Sequence, residues 1–101
     1  MFYDLYVSDR ALKRLKKIMN NDKGLAKRIL NKIDQILEKP HHYNLLTGDL
    51  KGARKGKVGN YRVIFDINDK KNLIFILDIG HRKEIYSSQN ISKIKEFRKF
   101  H

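Results

Sequence analysis

The chain contains no cysteine, no tryptophan and only one proline, and its basic residues outnumber its acidic ones by more than two to one. Without cysteine there can be no disulfide framework, no thiolate metal site and no thiol nucleophile. No apolar stretch approaches the roughly 20 residues that a membrane-spanning helix needs. The opening Met1-Phe2-Tyr3-Asp4-Leu5 lacks the basic region and apolar core of a secretion signal. A cytoplasmic protein with no membrane partner is therefore expected.

What the sequence has in excess is positive charge. Its 101 residues, 12.0 kDa, are enough for one domain spanning 1–101 with a modest core, and not for a separate cofactor domain. Lys and Arg number 23 against 11 for Asp and Glu, giving a formal charge of +12 and a pI near 10.0. Self-repulsion of that size destabilises a compact chain, so its retention points to a polyanionic partner. RNA is the first candidate and an acidic protein the second.

The periodicity predicts an α+β fold of order βααβββα. Phe2 to Val7 is mostly aromatic and aliphatic and reads as a strand, after which the Ser8 hydroxyl can cap a helix. Leu12, Leu15, Ile18 and Met19 recur at helical spacing with Lys13, Arg14, Lys16 and Lys17 outside. Leu25, Ile29, Ile33, Ile36 and Leu37 form a second helical stripe that stops before Pro40. Residues 39–52 are irregular. Tyr61, Val63, Phe65 and Ile67 then alternate with Arg62, Ile64 and Asp66, and Leu73 to Ile79 is almost continuously apolar, the pattern of a strand covered on both faces. Ile91, Ile94, Phe97 and Phe100 mark a short C-terminal helix. The expected architecture is a small antiparallel sheet with the helical hairpin packed on one side and that short helix closing the chain.

Residues 51–62 carry Lys51, Arg54, Lys55, Lys57 and Arg62 with no acidic residue among them. If Gly59-Asn60 is a two-residue hairpin turn, Val58 pairs with Tyr61, Lys57 stands opposite Arg62, and Lys55 shares their face. Like charges directly opposite on a sheet cost about 0.2–1 kcal/mol. A solvated basic face is one reading of this cluster. The sharper reading is convergence on a phosphate, whose charge grows during phosphoryl transfer.

Three runs extend that reading: Leu50-Lys51-Gly52, Lys55 to Phe65, and Ile79-Gly80-His81-Arg82-Lys83-Glu84-Ile85-Tyr86. In this order, within a basic chain of this length, they resemble the RelE branch of the RelE/ParE toxin superfamily, and the opening strand and the hairpin ending Glu38-Lys39-Pro40 match as well. The resemblance implies the toxin of a toxin–antitoxin pair, which cleaves messenger RNA in the ribosomal A site and is held by an acidic RelB-like antitoxin in a hetero-oligomer. It assigns Lys55, Lys57, Arg62, Arg82 and Tyr86 to catalysis, with Arg82 ending the last strand. Lys51, Arg54, His81 and Lys83 fall beside them as RNA-binding residues. The intervals from Lys57 to Arg62 and from Arg82 to Tyr86 are shorter than the usual ones.

The chemistry agrees in outline. A 2′-hydroxyl can attack its neighbouring phosphate if the strand is positioned, one proton removed, charge stabilised and the leaving oxygen protonated. No metal or cofactor is expected. Arg62 and Arg82 suit charge stabilisation, because a guanidinium stays charged and can hold two phosphate oxygens. Crowding by other cations favours the neutral amine of a lysine, which makes Lys55 or Lys57 a candidate base. Tyr86 can stack on a nucleobase, exchange a proton, or simply pack beneath the C-terminal helix. His81 has a side chain suited to proton transfer, yet in an extended segment it points away from the face that Arg82 presents.

His41 and His42 lack a third metal ligand and suit RNA contact or solvation. Asp66 and Asp78 fit structural partners of nearby lysines better than a catalytic carboxylate pair. Of Tyr3, Tyr6, Tyr43, Tyr61 and Phe65, most fit the core better than base stacking. Two other functions use the same charges: a ParE-like gyrase inhibitor, against which the cationic cluster argues, and a non-catalytic RNA-binding module.

Overall fold

The computed structural model describes residues 3–100. Strand β1 (Asp4–Val7) leads into α1 (Asp9–Asn21), whose first turn is capped by the Ser8 hydroxyl accepting from the Ala11 N–H. Asp22 caps α2 (Lys23–Glu38) in the same way through Leu25, and the helix ends before Pro40. Helix α1 buries Ala11 and Leu15, whereas Leu12 and Met19, expected in its apolar stripe, are half-exposed. Of the expected first strand, Phe2 lies outside the described residues.

The irregular stretch contains two short 3₁₀ turns and a strand too brief to announce itself, β2 (Asn44–Leu45). Strands β3 (Arg54–Val58), β4 (Tyr61–Asn68) and β5 (Leu73–His81) follow, then α3 (Arg82–Ile85) and α4 (Ser88–Lys99). The α+β class holds. The sheet has five strands in the order β1-β5-β4-β3-β2 and is mixed, because β1 lies parallel to β5 while the other pairings are antiparallel. The C-terminal region forms two helices in place of one.

The helices also divide between the two faces of the sheet. The hairpin α1–α2 covers one with Ala11, Leu15, Ile29, Ile33 and Ile36 against Val63, Phe65, Ile74, Ile76 and Ile79. On the other, Ile94 of α4 packs with Leu50, Ala53, Ile64, Leu77 and Ile85. This second core accounts for the almost unbroken apolar run of β5. That run also contains a bulge: Ile64 pairs with Asp78 but Phe65 with Ile76, so Leu77 is extra. Leu77 and Asp78 consequently both turn toward α4, and a carboxylate enters the second core.

Candidate functional site

The β3–β4 hairpin has the expected register. Gly59-Asn60 forms the turn, with Gly59 in the left-handed region at φ 57°, where a side chain would be strained. Val58 pairs with Tyr61, and Lys57 pairs with Arg62, which faces Gly80 of β5 on its other side. A row Lys57–Arg62–Gly80 thus crosses three strands on the α4 face of the sheet. Lys55 lies one row further, paired with Ile64. Gly80 adds no side chain to the row, so the two cations are not covered from β5.

Arg62 is held by its own turn, its guanidinium donating to the Gly59 and Tyr61 carbonyls at 2.9 Å each. Tyr86, one residue past α3, lies beside it. Burial pushes the Tyr86 phenol above the ordinary tyrosine value, and the charge and hydrogen bond of Arg62 pull the other way. The net direction is upward, so the phenol is protonated and can donate at neutral pH.

Arg82 does not end the last strand; it opens α3. Its backbone N–H donates to the Asn60 carbonyl at 2.8 Å, which ties α3 to the hairpin turn. Arg82 is exposed and stands four residues before Tyr86, a spacing that puts both on one side of a helical turn. Lys83, also exposed, is on the same turn.

His81 faces the other way, for a reason different from the expected one. It is the last residue of β5, pairs with Tyr61 and meets its ring edge-on at 5.4 Å. Its Nδ1 accepts from the Lys83 N–H at 3.1 Å, capping α3 and assigning the remaining proton to Nε2. The ring lines a cleft of 390 Å³ with Arg14, Lys17, Asp22, Tyr61 and Glu84, on the hairpin side of the sheet. A larger hollow of 620 Å³ lies at the far end of β4 and β5, away from the cations.

The expected RNA-binding residues therefore separate. Arg54, on the α1–α2 face, donates to the carbonyls of His41 and Tyr43 at 3.3 and 2.7 Å. Lys51 is exposed at the corner before β3, where its carbonyl accepts from Arg98. Lys57, Arg62 and Tyr86 lie together beside the hairpin turn, to which the Arg82 backbone is tied, while Lys55 stands one row further along β3. His41 bonds to Asp69 at 2.9 Å, and no group of three metal-ligating side chains occurs among the described residues. Tyr43 and Tyr61 pack against the first core, as does Tyr3, while Tyr6 is half-exposed on the edge strand.

The two sheet carboxylates are structural, with arginine partners in place of the expected lysines. Asp66 receives both Nε and Nη2 of Arg98, at 3.0 and 3.1 Å. Asp78 is completely buried and is met by Arg10, Arg14 and Asn90. Nothing in the sequence reading singled out Arg10 or Asn90. The available signals were an aspartate inside an apolar strand and two arginines one turn apart on α1.

Residues 5–86 match the family model of the ParE toxin of the type II toxin–antitoxin system parDE. The chain belongs to the RelE/ParE toxin family. This toxin is 25% identical to the candidate toxin RelE4 of Methanocaldococcus jannaschii over 92 residues, covering 90% of this chain and 98% of the relative. Its fold matches that of a mutant of the E. coli toxin RelE in the free state with a TM-score of 0.72, at 24% identity, over 97% of this chain and 98% of that one. It matches the archaeal RelE–RelB complex of Pyrococcus horikoshii OT3 with a TM-score of 0.64, at 26% identity, over 83% and 99% of the two chains. No helix among the described residues is long and apolar enough to cross a membrane.

Proposed function

We propose that this toxin is a metal-independent endoribonuclease that cuts messenger RNA in the ribosomal A site and so stops translation. The observation that carries the reading is the pairing of Lys57 with Arg62 across the hairpin, with the Tyr86 phenol on Arg62. Two unneutralised cations and a protonated phenol at one place match what strand cleavage by a 2′-hydroxyl requires. The 2′-oxygen attacks phosphorus, its proton passing to whichever of Lys55 and Lys57 serves as base, the other remaining a charge stabiliser. Arg62 and Arg82 hold the phosphate oxygens as charge grows on them. The bond to the 5′-oxygen breaks, that oxygen takes the Tyr86 proton, and a 2′,3′-cyclic phosphate remains.

The same charge favours the proposed partners. Lys13, Lys16, Lys17, Lys27 and Arg28 are exposed along the helical hairpin, a surface suited to ribosomal RNA phosphates and to an acidic RelB-like antitoxin. A gyrase block has no use for paired cations beside a phenol, so the ParE-like activity is the less supported one.

The test is to incubate the toxin with messenger-programmed ribosomes and identify the fragment ends. A 2′,3′-cyclic phosphate and a free 5′-hydroxyl are expected, and Arg62→Ala with Arg82→Ala should together abolish both cleavage and growth arrest. A 5′-phosphate product, or gyrase inhibition without RNA cleavage, overturns the reading.

A further inference from the structure

Helix α3 is one turn long, and a single turn fixes several backbone dihedrals for one hydrogen bond, so it cannot hold its own place. Its start is anchored by Arg82 N–H on the Asn60 carbonyl and by His81 under Lys83. Its end is anchored by a side chain. Asn90, in the first turn of α4, donates through Nδ2 to the Ile85 carbonyl at 3.0 Å. That carbonyl belongs to the rigid peptide unit whose N–H is the Tyr86 amide. Asn90 therefore holds the plane from which Tyr86 projects.

Asn90 is itself fixed from every side. Its Nδ2 also donates to Asp78 Oδ2 at 2.8 Å, and its Oδ1 accepts from Arg14 Nη2 at 2.9 Å and from Arg10 Nη2. A flipped amide would turn its NH₂ toward two guanidiniums, so only one orientation satisfies the site. Asp78, fully buried, is braced by Arg10 Nε at 3.4 Å, Arg14 Nε at 3.6 Å and the Ile79 N–H at 2.9 Å. Arg14 can come this close because residue 80 is glycine: a Cβ there would stand 2.5 Å from Arg14 Nη1.

We propose that Asn90 is a positioning residue of the reaction: locked by Asp78, Arg10 and Arg14, its amide fixes the Ile85–Tyr86 peptide and keeps the phenol on Arg62. The catalytic consequence rests on the endoribonuclease reading; the placement of Tyr86 does not. Plain core filling would require only that Asn90 pack well. Positioning requires its donor to Ile85.

The two roles separate in the exchange variant D78N/N90D. One buried carboxylate remains for the two guanidiniums, and an amide still faces it, but ionised Asp at 90 has no proton for the Ile85 carbonyl. The variant should melt within a few degrees of the wild type, yet lose the nuclear Overhauser contacts between the Tyr86 ring and the Arg62 side chain. On programmed ribosomes its kcat should fall about 10-fold or more with KM nearly unchanged, the mark of misplaced groups. In the wild type, the Asn90 side-chain amide protons should exchange slowly with solvent. Rapid exchange of those protons, or an exchange variant that keeps both the Tyr86–Arg62 contacts and wild-type kcat, overturns the proposal. The NMR measurements bear on Asn90 whatever the toxin does to RNA, whereas a wild type inert on ribosomes overturns the endoribonuclease reading instead.

Discussion

Lys57 and Arg62 stand directly opposite each other across the β3–β4 hairpin, and neither forms an ion pair with a carboxylate among the described residues. Like charges so placed weaken a hairpin, so the pair costs the free toxin stability, a cost that the proposed phosphate-binding role would explain. Lys57→Glu converts repulsion into attraction and should stabilise the free toxin by about 0.5–1 kcal/mol at low salt. Raising the salt should shrink the gain, since the exposed pair is then screened. The same substitution should abolish growth arrest. Urea denaturation at low and high salt measures the first effect, and a variant less stable than the wild type contradicts it.

Tyr86→Phe removes one oxygen and leaves the ring in place. Burial raises the phenol and Arg62 only partly offsets this, so Tyr86 loses its proton above the ordinary tyrosine value. Activity should accordingly show no loss from this group as pH rises between about 6 and 9, well short of the usual tyrosine value near 10. If the phenol protonates the leaving oxygen, Tyr86→Phe should lower the single-turnover rate by about 10²-fold or more. A rate equal to that of the wild type would remove Tyr86 from proton transfer.

Much of this site is legible in the sequence. Gly59-Asn60 fixes the hairpin length, and length fixes register, so Lys57 opposite Arg62 follows from the sequence. The stripe from Leu25 to Leu37 sets α2 for the same reason of period. What escaped depends on breaks of period and on distance. A bulge at Leu77 turns Asp78 into the second core, and no pattern with period two foresees that. Arg14 reads as part of the outer basic face of its helix, and Arg10 gives no signal of its own, until β5 brings a carboxylate to them. The parallel direction of β1 is a property of the long crossover to β5, not of the strand itself. Arg82 looked like a strand residue because α3 is too short to show helical spacing.

Asp69 makes an acid-sensitive tie. Tyr3 Oη donates to its Oδ1 at 2.8 Å and His41 Nε2 meets its Oδ2 at 2.9 Å, so the turn between β4 and β5 is fastened to the chain start and to the turn after α2. The hydrogen bond from Tyr3, and then that from His41, hold the carboxyl below the usual carboxylate range against a small opposing effect of desolvation. A carboxyl depressed in the folded state stabilises it above the unfolded pKa, and that contribution is lost as pH falls through the folded value. Asp69→Asn should thus lower stability modestly near pH 7, where the tie is intact, and flatten the decline below about pH 4, so that the two proteins converge in acid. Urea midpoints at pH 7, 4 and 3 provide the comparison; equal acid sensitivity in both proteins would exclude the tie.

The last expectation is that cleavage depends on the ribosome. The gathered residues include charge stabilisers and one phenol, while His81 is turned to the other side of the sheet and the carboxylates Asp66 and Asp78 are occupied by arginines. Acid–base equipment is thus sparse, although such catalysis typically contributes about 10²–10⁴-fold. Rate must then come from holding the 2′-oxygen in line with the bond that breaks, which well-oriented reactions show to be worth several orders of magnitude. The toxin presents the cations beside the hairpin turn, with Lys57 and Arg82 exposed and no side chain from Gly80 of β5 next to Arg62, so it is expected to order a flexible strand poorly by itself. A ribosomal A site supplies a messenger already fixed against ribosomal RNA, whose phosphates attract the +12 charge of the toxin. One message should be cut at least about 10²-fold faster in a programmed ribosome with an empty A site than free in solution, at equal toxin and salt. Equal rates on free and ribosome-bound RNA would show that the toxin orders the strand by itself and would end the case for a ribosomal partner.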